Sequence, residues 1–299
     1  MKRFNFLIIV ISLVFIILGA GLLSWGLRSG AKPVVRVGDK NASGSNDYVS
    51  GEIEITEFDD LLVDATSMDV TIEEGDSYSL TYYCLPDNIP VVEQNGKKLS
   101  VRQNTKNGIV LLSFSFDFNS DNEYYKITVP KNAGSITGDL KLTSGALKLS
   151  DIELDGSAKI TSGDYNMNNV KGKELKLTAT SGGYLISDCE YDDMQIKVTS
   201  GDVKCENVTF KKLDLNVTSG DMKFDNISTD DVFVDMTSGS VKMDIRGREE
   251  DYDYSVKVTS GDITIGGNEV TGKYSTDKGR AKKIEAKATS GDLNITFME

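Results

Sequence analysis

Aspartate recurs at one position of a repeated tetrapeptide, and carboxylates in a row could bind a cation or cleave a polysaccharide. Because other residues interrupt this position, only Asp202 and Asp221 are neighbours in the 19-residue spacing, and they are the candidate calcium ligands. Calcium-binding β-rolls use a different, nine-residue spacing. The alternative is that each carboxylate accepts backbone N–H groups and caps a turn. The aspartates that follow Thr-Ser-Gly are Asp164, Asp202, Asp221, Asp262 and Asp292.

Several kinds of catalytic motif are missing from the chain. It contains no histidine, which excludes Ser-His-Asp and Cys-His catalysis as well as His-ligated metal sites. It also lacks a Walker motif, a GxGxxG segment after a strand, and CxxC. We therefore expect no catalytic residue, no metal and no cofactor. A polysaccharide-active enzyme is the least favoured alternative.

The aspartates belong to a repeat that organises the second half of the chain. Thr-Ser-Gly occurs eight times from Thr143 to Thr289, at steps of 18, 19, 19, 19, 19, 22 and 30 residues. A period of this size is typical of solenoids. Apolar residues stand five, three and one positions before the Thr, as in Met194, Ile196 and Val198. That alternation predicts a strand with one buried face.

The glycine of each copy is predicted to form a corner between two strands. After it, the apolar alternation resumes one residue out of phase, and glycine tolerates the positive φ that such a corner demands. We also expect the preceding serines to point inward and to stack as a ladder of buried hydroxyls. The corner glycines are Gly145, Gly163, Gly182, Gly201, Gly220, Gly239, Gly261 and Gly291. The predicted serine ladder is Ser162, Ser181, Ser200, Ser219 and Ser238.

These patterns predict an all-β protein whose main part is a parallel β-solenoid, right-handed by the crossover rule. Its 19-residue TSGD rungs occupy residues 137–299, after an irregular N-terminal β-rich capping region at 48–136. A degenerate copy of the motif lies at 65–72 within that cap, because terminal repeats are usually atypical. Further strands are predicted at Leu80–Tyr83, Leu99–Val101, Ile109–Phe118 and Tyr125–Pro130.

The N-terminus is predicted to be a membrane anchor. Residues 6–27 carry no charge, and such a run is long enough to span a bilayer as a helix. We expect residues 1–27 to form a short cytoplasmic tail and a transmembrane signal anchor that contacts the membrane through residues 5–27, and residues 28–47 to form a linker. The alternative is a cleaved secretion signal. The predicted location is the cell membrane, single-pass, with the C-terminal domain extracytoplasmic.

The charge balance disfavours nucleic acid as a partner. Residues 1–32 hold four basic and no acidic residues, which leaves 46 acidic and 29 basic residues beyond them, a net charge of −17. Nucleic-acid binding needs basic stripes instead. The three cysteines support no disulfide framework. Cys189 and Cys205 occupy positions that Val, Ile or Phe fill in other copies, and we expect them to be buried thiols.

Two groups of cations are candidate contact residues. The first is an outward column of lysines, Lys148, Lys204, Lys223 and Lys242. The second lies in the long last interval, which is predicted to be a solvated loop, a contact site or a flap over the last rung; its cations are Lys273, Lys278, Arg280, Lys282 and Lys283. The C-terminal solenoid edge has no evident cap, and an unpaired edge favours homo-oligomers.

The Val-Thr-Ser-Gly-Asp-Val pattern of residues 198–203, with the degenerate copy at 65–72 and one N-terminal anchor, resembles the bacterial putative-adhesin family of β-strand repeat proteins. LiaG-like envelope-stress proteins are among its members. The resemblance implies a membrane-anchored cell-surface protein and brings no catalytic residues.

Our leading hypothesis is a non-enzymatic, adhesin-like interaction or scaffold module at the cell envelope, whose partner is a mixed-charge molecule or a cell-wall glycan. The alternative is a regulatory module of an envelope stress response that acts through a membrane protein.

Overall fold

The computed structural model describes residues 48–104, 123–270 and 272–298. The predicted anchor at 5–27, the linker at 28–47 and the strand at Ile109–Phe118 lie outside these ranges. Across the ranges that are described, none of the helices has the length and apolar character needed to cross a membrane.

The described residues form 25 strands and two 3-10 helices, Pro86–Asn88 and Glu249–Asp251, so the predicted all-β class is confirmed. The first strands are β1 (Val49–Glu54), β2 (Asp60–Ala65), β3 (Asp69–Gly75), β4 (Ser79–Cys84), β5 (Pro90–Asn95), β6 (Lys98–Gln103), β7 (Tyr124–Pro130), β8 (Ile136–Ser144), β9 (Leu147–Ser150), β10 (Leu154–Ser162), β11 (Tyr165–Asn168), β12 (Lys171–Ser181) and β13 (Gly183–Ser187). The others are β14 (Glu190–Ser200), β15 (Asp202–Glu206), β16 (Thr209–Ser219), β17 (Asp221–Ile227), β18 (Asp231–Met236), β19 (Ser240–Arg246), β20 (Tyr252–Ser260), β21 (Ile263–Ile265), β22 (Asn268–Val270), β23 (Lys273–Ser275), β24 (Lys282–Ser290) and β25 (Asp292–Met298).

Each rung contributes one strand to each of two sheets. Sheet I runs in the order β23-β20-β24-β18-β16-β14-β12-β10-β8-β2-β6-β5, and sheet II in the order β1-β4-β7-β3-β9-β11-β13-β15-β17-β19-β25-β21-β22. Successive interior rungs pair in parallel, with Ile196 beside Leu215 in sheet I and Val203 beside Met222 in sheet II. Both inner faces are apolar and buried. The predicted parallel solenoid is therefore confirmed; its right-handedness stays a prediction.

The Thr-Ser-Gly-Asp corner differs from the prediction in one respect. Val198 and Val203 are buried, but Thr199 and Ser200 are both exposed. The predicted ladder of buried hydroxyls is therefore wrong, because the corner takes the chain around the outside of the core. Only the glycine has a positive φ there, 141° at Gly201. The same exposure holds at Ser162, Ser181, Ser219 and Ser238.

A second corner closes five of the interior rungs, and an asparagine or aspartate with a positive φ forms it. Asn169, Asn207 and Asn226 have φ between 51° and 55°, a region that Asn enters more readily than most residues. Their amides donate to the equivalent side chain of the preceding rung, as in the 2.6 Å bond from Asn226 Nδ2 to Asn207 Oδ1. This ladder binds the rungs along the edge opposite the glycines.

The last two rungs of the chain are stacked in reverse order. The rung formed by β24 and β25 comes last in the sequence but lies between the rung of β18 and β19 and the rung of β20 and β21. The chain leaves β19, passes over one empty rung position through residues 247–251, and later returns to fill that position. The step from Thr237 to Thr259 is 22 residues instead of 19, because this connection climbs two rungs of ~4.8 Å each.

The N-terminal end repeats this arrangement. The degenerate copy at 65–72 forms a true rung from β2 and β3, and the following rung of β6 and β7 lies outside it. The connection from β7 to β8, residues 131–135, then crosses over the rung of β2 and β3. The two-rung crossover is five residues long at each end. The strands of the predicted N-terminal cap belong to the same two sheets as the regular rungs.

The C-terminal edge is not where the sequence placed it. The final strands β24 and β25 are interior strands, so the expectation that they end the solenoid uncapped is wrong. The long interval instead supplies β22, antiparallel to β21, and β23, antiparallel to β20. Of the three alternatives for this segment, the flap describes it best, although it covers the penultimate rung of the sequence. Homo-oligomerisation stays a prediction, now for edges formed by β22 and β23.

Candidate functional site

The motif aspartates clamp neighbouring rungs together. Asp202 Oδ1 accepts the backbone N–H of Asp221 at 3.0 Å, which is the equivalent residue one rung on. Asp164 accepts the N–H of Gly183 at 2.9 Å in the same way. The alternative to calcium binding was that these carboxylates cap turns by accepting backbone N–H groups. They do accept such groups, but the groups belong to the neighbouring rung. Rung reversal also makes Asp292 and Asp262 neighbours, at 3.0 Å from Oδ1 to N, which the sequence spacing did not reveal.

The two calcium candidates offer few free ligands. Calcium takes about six to eight oxygen ligands. One oxygen of Asp202 accepts the N–H of Asp221, and one oxygen of Asp221 accepts the hydroxyl of Ser240 at 2.7 Å. In the described part of the chain, no cluster of three or more His, Cys, Asp or Glu side chains could hold a metal ion.

The predicted lysine column lies on the outer face of sheet II, and each of three lysines has an acidic partner two residues on. Lys204 pairs with Glu206 at 2.7 Å and Lys223 with Asp225 at 2.5 Å. The pairing of Lys242 with Asp244 is longer, 3.6 Å. Stacked like charges repel, and the adjacent acidic column offsets that repulsion. This face is therefore a mixed-charge stripe and not a basic patch.

Lys273 is exposed on β23, and the other four cations of the long interval divide into two groups. Lys282 pairs with Asp230 at 3.1 Å, and Lys283 pairs with Glu285. No ion pair of Lys278 or Arg280 is found among residues 48–104, 123–270 and 272–298. Lys278 and Arg280 are thus the cations of this segment that line a groove and have no carboxylate pairing with them.

Asp253 holds the loop that carries these two cations. Its carboxylate accepts the backbone N–H groups of Lys278 and Arg280, each at 2.9 Å, and the hydroxyl of Thr276 at 3.0 Å. The N–H groups of Lys278 and Arg280 lower the pKa of Asp253 below its ordinary value. This charged acceptor fixes the loop against β20.

Replacing Asp253 with asparagine should lower Tm by several degrees at neutral pH, because the amide cannot accept all three bonds. The folded pKa of Asp253 is depressed, so its stabilisation is complete above the unfolded pKa and disappears as the pH falls through the folded pKa. The difference in Tm between the wild type and D253N should therefore shrink as the pH is lowered. Thermal unfolding from about pH 7 to about pH 3 measures it. The control is Asp277→Asn, an exposed carboxylate of the same loop; equal losses in both variants would contradict the assignment.

A groove of about 810 Å³ lies at the C-terminal end, between the 247–251 crossover, the 266–267 turn and the 276–280 loop. Its walls are aromatic: the rings of Tyr254 and Tyr274 are 5.9 Å apart, and those of Tyr252 and Phe297 are 5.4 Å apart. The hydroxyls of Tyr252 and Tyr254 donate to backbone carbonyls of Thr229 and Glu249. The charged lining residues are Arg248, Glu249, Glu250, Lys278 and Arg280.

The family follows from the span of residues that a family sequence model matches. The model described as Toastrack DUF4097 matches residues 58–296. The chain belongs to the Toastrack DUF4097 family. The matched span of this Toastrack protein includes both crossovers and the lining of the groove except Phe297. It confirms the resemblance to the putative-adhesin family that the repeat indicated.

Among curated proteins, no relative matches this Toastrack chain. It is similar in structure to a "putative lipid binding protein" of Parabacteroides distasonis, with 17% identity, a TM-score of 0.44, and coverage of 86% of this chain and 98% of the other. A "putative adhesin" of the same organism shows 12% identity and a TM-score of 0.42, with coverage of 85% and 96%. One from Bacteroides fragilis shows 14% identity and a TM-score of 0.36, with coverage of 85% and 98%. Similarities this distant carry no argument about function.

The cysteines of this Toastrack protein are buried and free, as expected for Cys189 and Cys205. Burial raises the pKa of Cys189 to about 11 and that of Cys205 well above its ordinary value. These thiols therefore remain protonated and serve as apolar core side chains.

Sequence reasoning found Lys278 and Arg280 but missed the aromatic walls of the groove. Tyr254 occupies a column that the repeat assigns to the core, and Tyr274 and Phe297 lie outside the repeat columns. The signal that could have found them was the pair of long intervals, 22 and 30 residues. Both long intervals lie near the C-terminus of the sequence, so the extra residues of the two intervals are expected to meet at the same end of the solenoid.

Proposed function

We propose that this protein is a non-enzymatic, adhesin-like interaction module of the cell envelope, held in the membrane by residues 5–27 with its solenoid outside the cytoplasm. The observation that carries the proposal is the mixed-charge stripe of sheet II. Lys204, Lys223 and Lys242 lie directly beside one another in register, with their acidic partners in the next column. Along this stripe the same donor and acceptor recur three times, at a spacing of ~4.8 Å. Such a surface suits a polymer of repeating units, such as a cell-wall glycan.

The charge chemistry of the corners supports the non-enzymatic part of the proposal. Hydrolysis of a glycan needs two carboxylates free to act as acid and base or nucleophile. The neighbouring Asp202 and Asp221 already accept hydrogen bonds from the next rung. Their oxygens serve the stacking of the fold.

The test is co-sedimentation of the full-length protein, in phosphatidylcholine nanodiscs, with isolated cell-wall sacculi and with anionic liposomes. We expect saturable binding to sacculi that survives physiological salt. Changing Lys204, Lys223 and Lys242 together to Gln should weaken it about tenfold, because three exposed ionic contacts of ~0.5 kcal/mol each are lost. The matched control replaces the exposed Lys159, Lys197 and Lys257 of sheet I. Binding to neither target would contradict the proposal and favour the regulatory module with a protein partner.

A further inference from the structure

The C-terminal groove combines three kinds of lining group: aromatic rings, cations and carboxylates. Its volume of about 810 Å³ lies within the range of about 300–1,000 Å³ typical of small-molecule sites. Aromatic rings form its walls, and its lining also includes the carboxylates of Glu249 and Glu250 and two cations, Lys278 and Arg280, that form no ion pair among the described residues. The 247–251 crossover supplies the carboxylates, the 276–280 loop supplies the two cations, and strands β20, β23 and β25 supply the rings.

The aromatic walls suit a flat, partly apolar ring. Tyr274 and Phe297 are only partly buried, although both pack against the core. Tyr252 and Tyr254 lie behind them, and their hydroxyls are already bonded to carbonyls. The exposed aromatic surface therefore presents carbon and hydrogen atoms. A pyranose offers a matching face of C–H groups, which packs on such rings.

The two cations are positioned before any ligand arrives. Asp253 accepts the main-chain N–H groups of both Lys278 and Arg280, at 2.9 Å each, and this fixes where their side chains begin. Asp253 has its hydrogen bonds filled by these N–H groups and by Thr276. Among the described residues, no carboxylate forms an ion pair with the side chain of Lys278 or Arg280, so both cations can contact an anionic ligand, although the charge of Asp253 partly offsets that of Arg280. Guanidinium and ammonium groups arranged in this way bind an anionic oxygen pair.

The 247–251 crossover supplies hydrogen-bond acceptors to the groove. Glu249 and Glu250 belong to the crossover, and the carboxylate of Glu249 lies so close to Gly266 that a Cβ there would overlap it. Arg248 is committed to Glu250 at 2.8 Å and to Asp251 at 2.9 Å. The Glu249 side can accept hydrogen bonds from sugar hydroxyls. These two protein carboxylates repel a ligand with a doubly charged phosphate more strongly than a ligand with one carboxylate.

From these contacts we infer that the groove binds a carboxylated saccharide, with the pyranose against Tyr274 and Phe297 and the carboxylate between Lys278 and Arg280. Hydroxyl groups of the sugar donate to Glu249. The inference rests on the proposed function in that the partner is a glycan, but it assigns a separate site, at the end of the solenoid instead of along sheet II.

The experiment is calorimetric titration of the full-length protein in nanodiscs with a pair of matched ligands. The first is the disaccharide N-acetylglucosaminyl-N-acetylmuramic acid, and the second is diacetylchitobiose, which lacks the lactyl carboxylate. A glucuronate disaccharide tests a second source of the same chemistry, and glycerol phosphate tests a phosphate. We expect at least one carboxylated disaccharide to bind about tenfold more tightly than chitobiose. Equal binding of both matched ligands, no binding of any carboxylated ligand, or tighter binding of glycerol phosphate would overturn the inference.

Variants locate the site. Changing Lys278 and Arg280 together to Gln keeps the main-chain bonds to Asp253 and should weaken binding of the carboxylated ligand by about tenfold or more. Tyr274→Leu keeps an apolar side chain on β23 and should also weaken it. The control is Lys273→Gln, a cation of the same segment that does not line the groove, which should bind like the wild type. Unchanged affinity in the double variant would exclude the groove. Sacculus co-sedimentation of this variant separates the two proposals, because the sheet II stripe is intact in it.

Discussion

Replacing Gly201 with alanine should lower the free energy of unfolding by about 2–5 kcal/mol, a large loss for one methyl group. Its φ of 141° is in a region that other residues rarely adopt, and a Cβ there would overlap the carbonyl oxygen of Gly182 in the neighbouring rung. The rungs stack closely at this corner because glycine lies directly above glycine. Urea unfolding followed by far-UV circular dichroism measures the loss.

Gly247→Ala is the matched control for this substitution. Gly247 also has a positive φ, 128°, but a Cβ there would meet nothing within 4 Å. Its substitution should cost only the backbone strain, about 1–2 kcal/mol. The difference between the two variants isolates the close approach of the rungs. If both lost the same stability, the rungs could separate without cost and our explanation of the glycine column would be incorrect.

Removing residues 282–299 should destabilise the protein far more than the loss of a simple terminal repeat would. These residues form the inserted rung, so β18 and β20 lose a parallel partner in sheet I, as β19 and β21 do in sheet II. The buried side chains Ile284, Leu293 and Ile295 leave with it, at about 2 kcal/mol each. We expect Tm to fall by roughly 10 °C or more and the truncated protein to bind a hydrophobic dye.

Deleting residues 199–217 provides a comparison of similar length from the interior. This 19-residue unit begins at one Thr-Ser-Gly motif and ends just before the next, so Val198 joins Thr218 with the register preserved. Because each repeat contacts only its neighbours, the shortened stack should fold and lose stability by about one rung. If removing residues 282–299 lowered Tm no more than this deletion does, the inserted rung would contribute no more to stability than an ordinary interior rung.

The repeat made the rung predictable, since Met194, Ile196 and Val198 carry the alternation of a strand and Gly201 marks its corner. The outward serines were not predictable in the same way. Alternation counted through Ser200 assumes regular strand geometry, and the corner departs from it with four consecutive residues outside the core. The asparagine corner left a detectable signal at Asn169, Asn207 and Asn226, because Asn is one of the few residues that enter the left-handed region readily.

The order of the rungs could not be derived from the columns. Every rung presents the same inward positions, so Val232 packs as well beside Ile284 as beside the equivalent Tyr254, and the pattern alone cannot choose between them. Only the length of the connections decides, and the 22- and 30-residue intervals resembled ordinary insertions. The groove was hidden for the same reason, since its walls come together only when the rungs are reversed.

The two five-residue crossovers also govern how a protein of this kind can change in length. A gene duplication of one 19-residue unit between Thr143 and Thr237 would lengthen the stack while both closed ends stay as they are. A duplication that copied a crossover would leave a rung position unfilled inside the protein. Viable length variants should therefore arise in whole 19-residue steps in the interior, so the distance between the N-terminal crossover and the C-terminal groove can be adjusted in evolution without remaking either end.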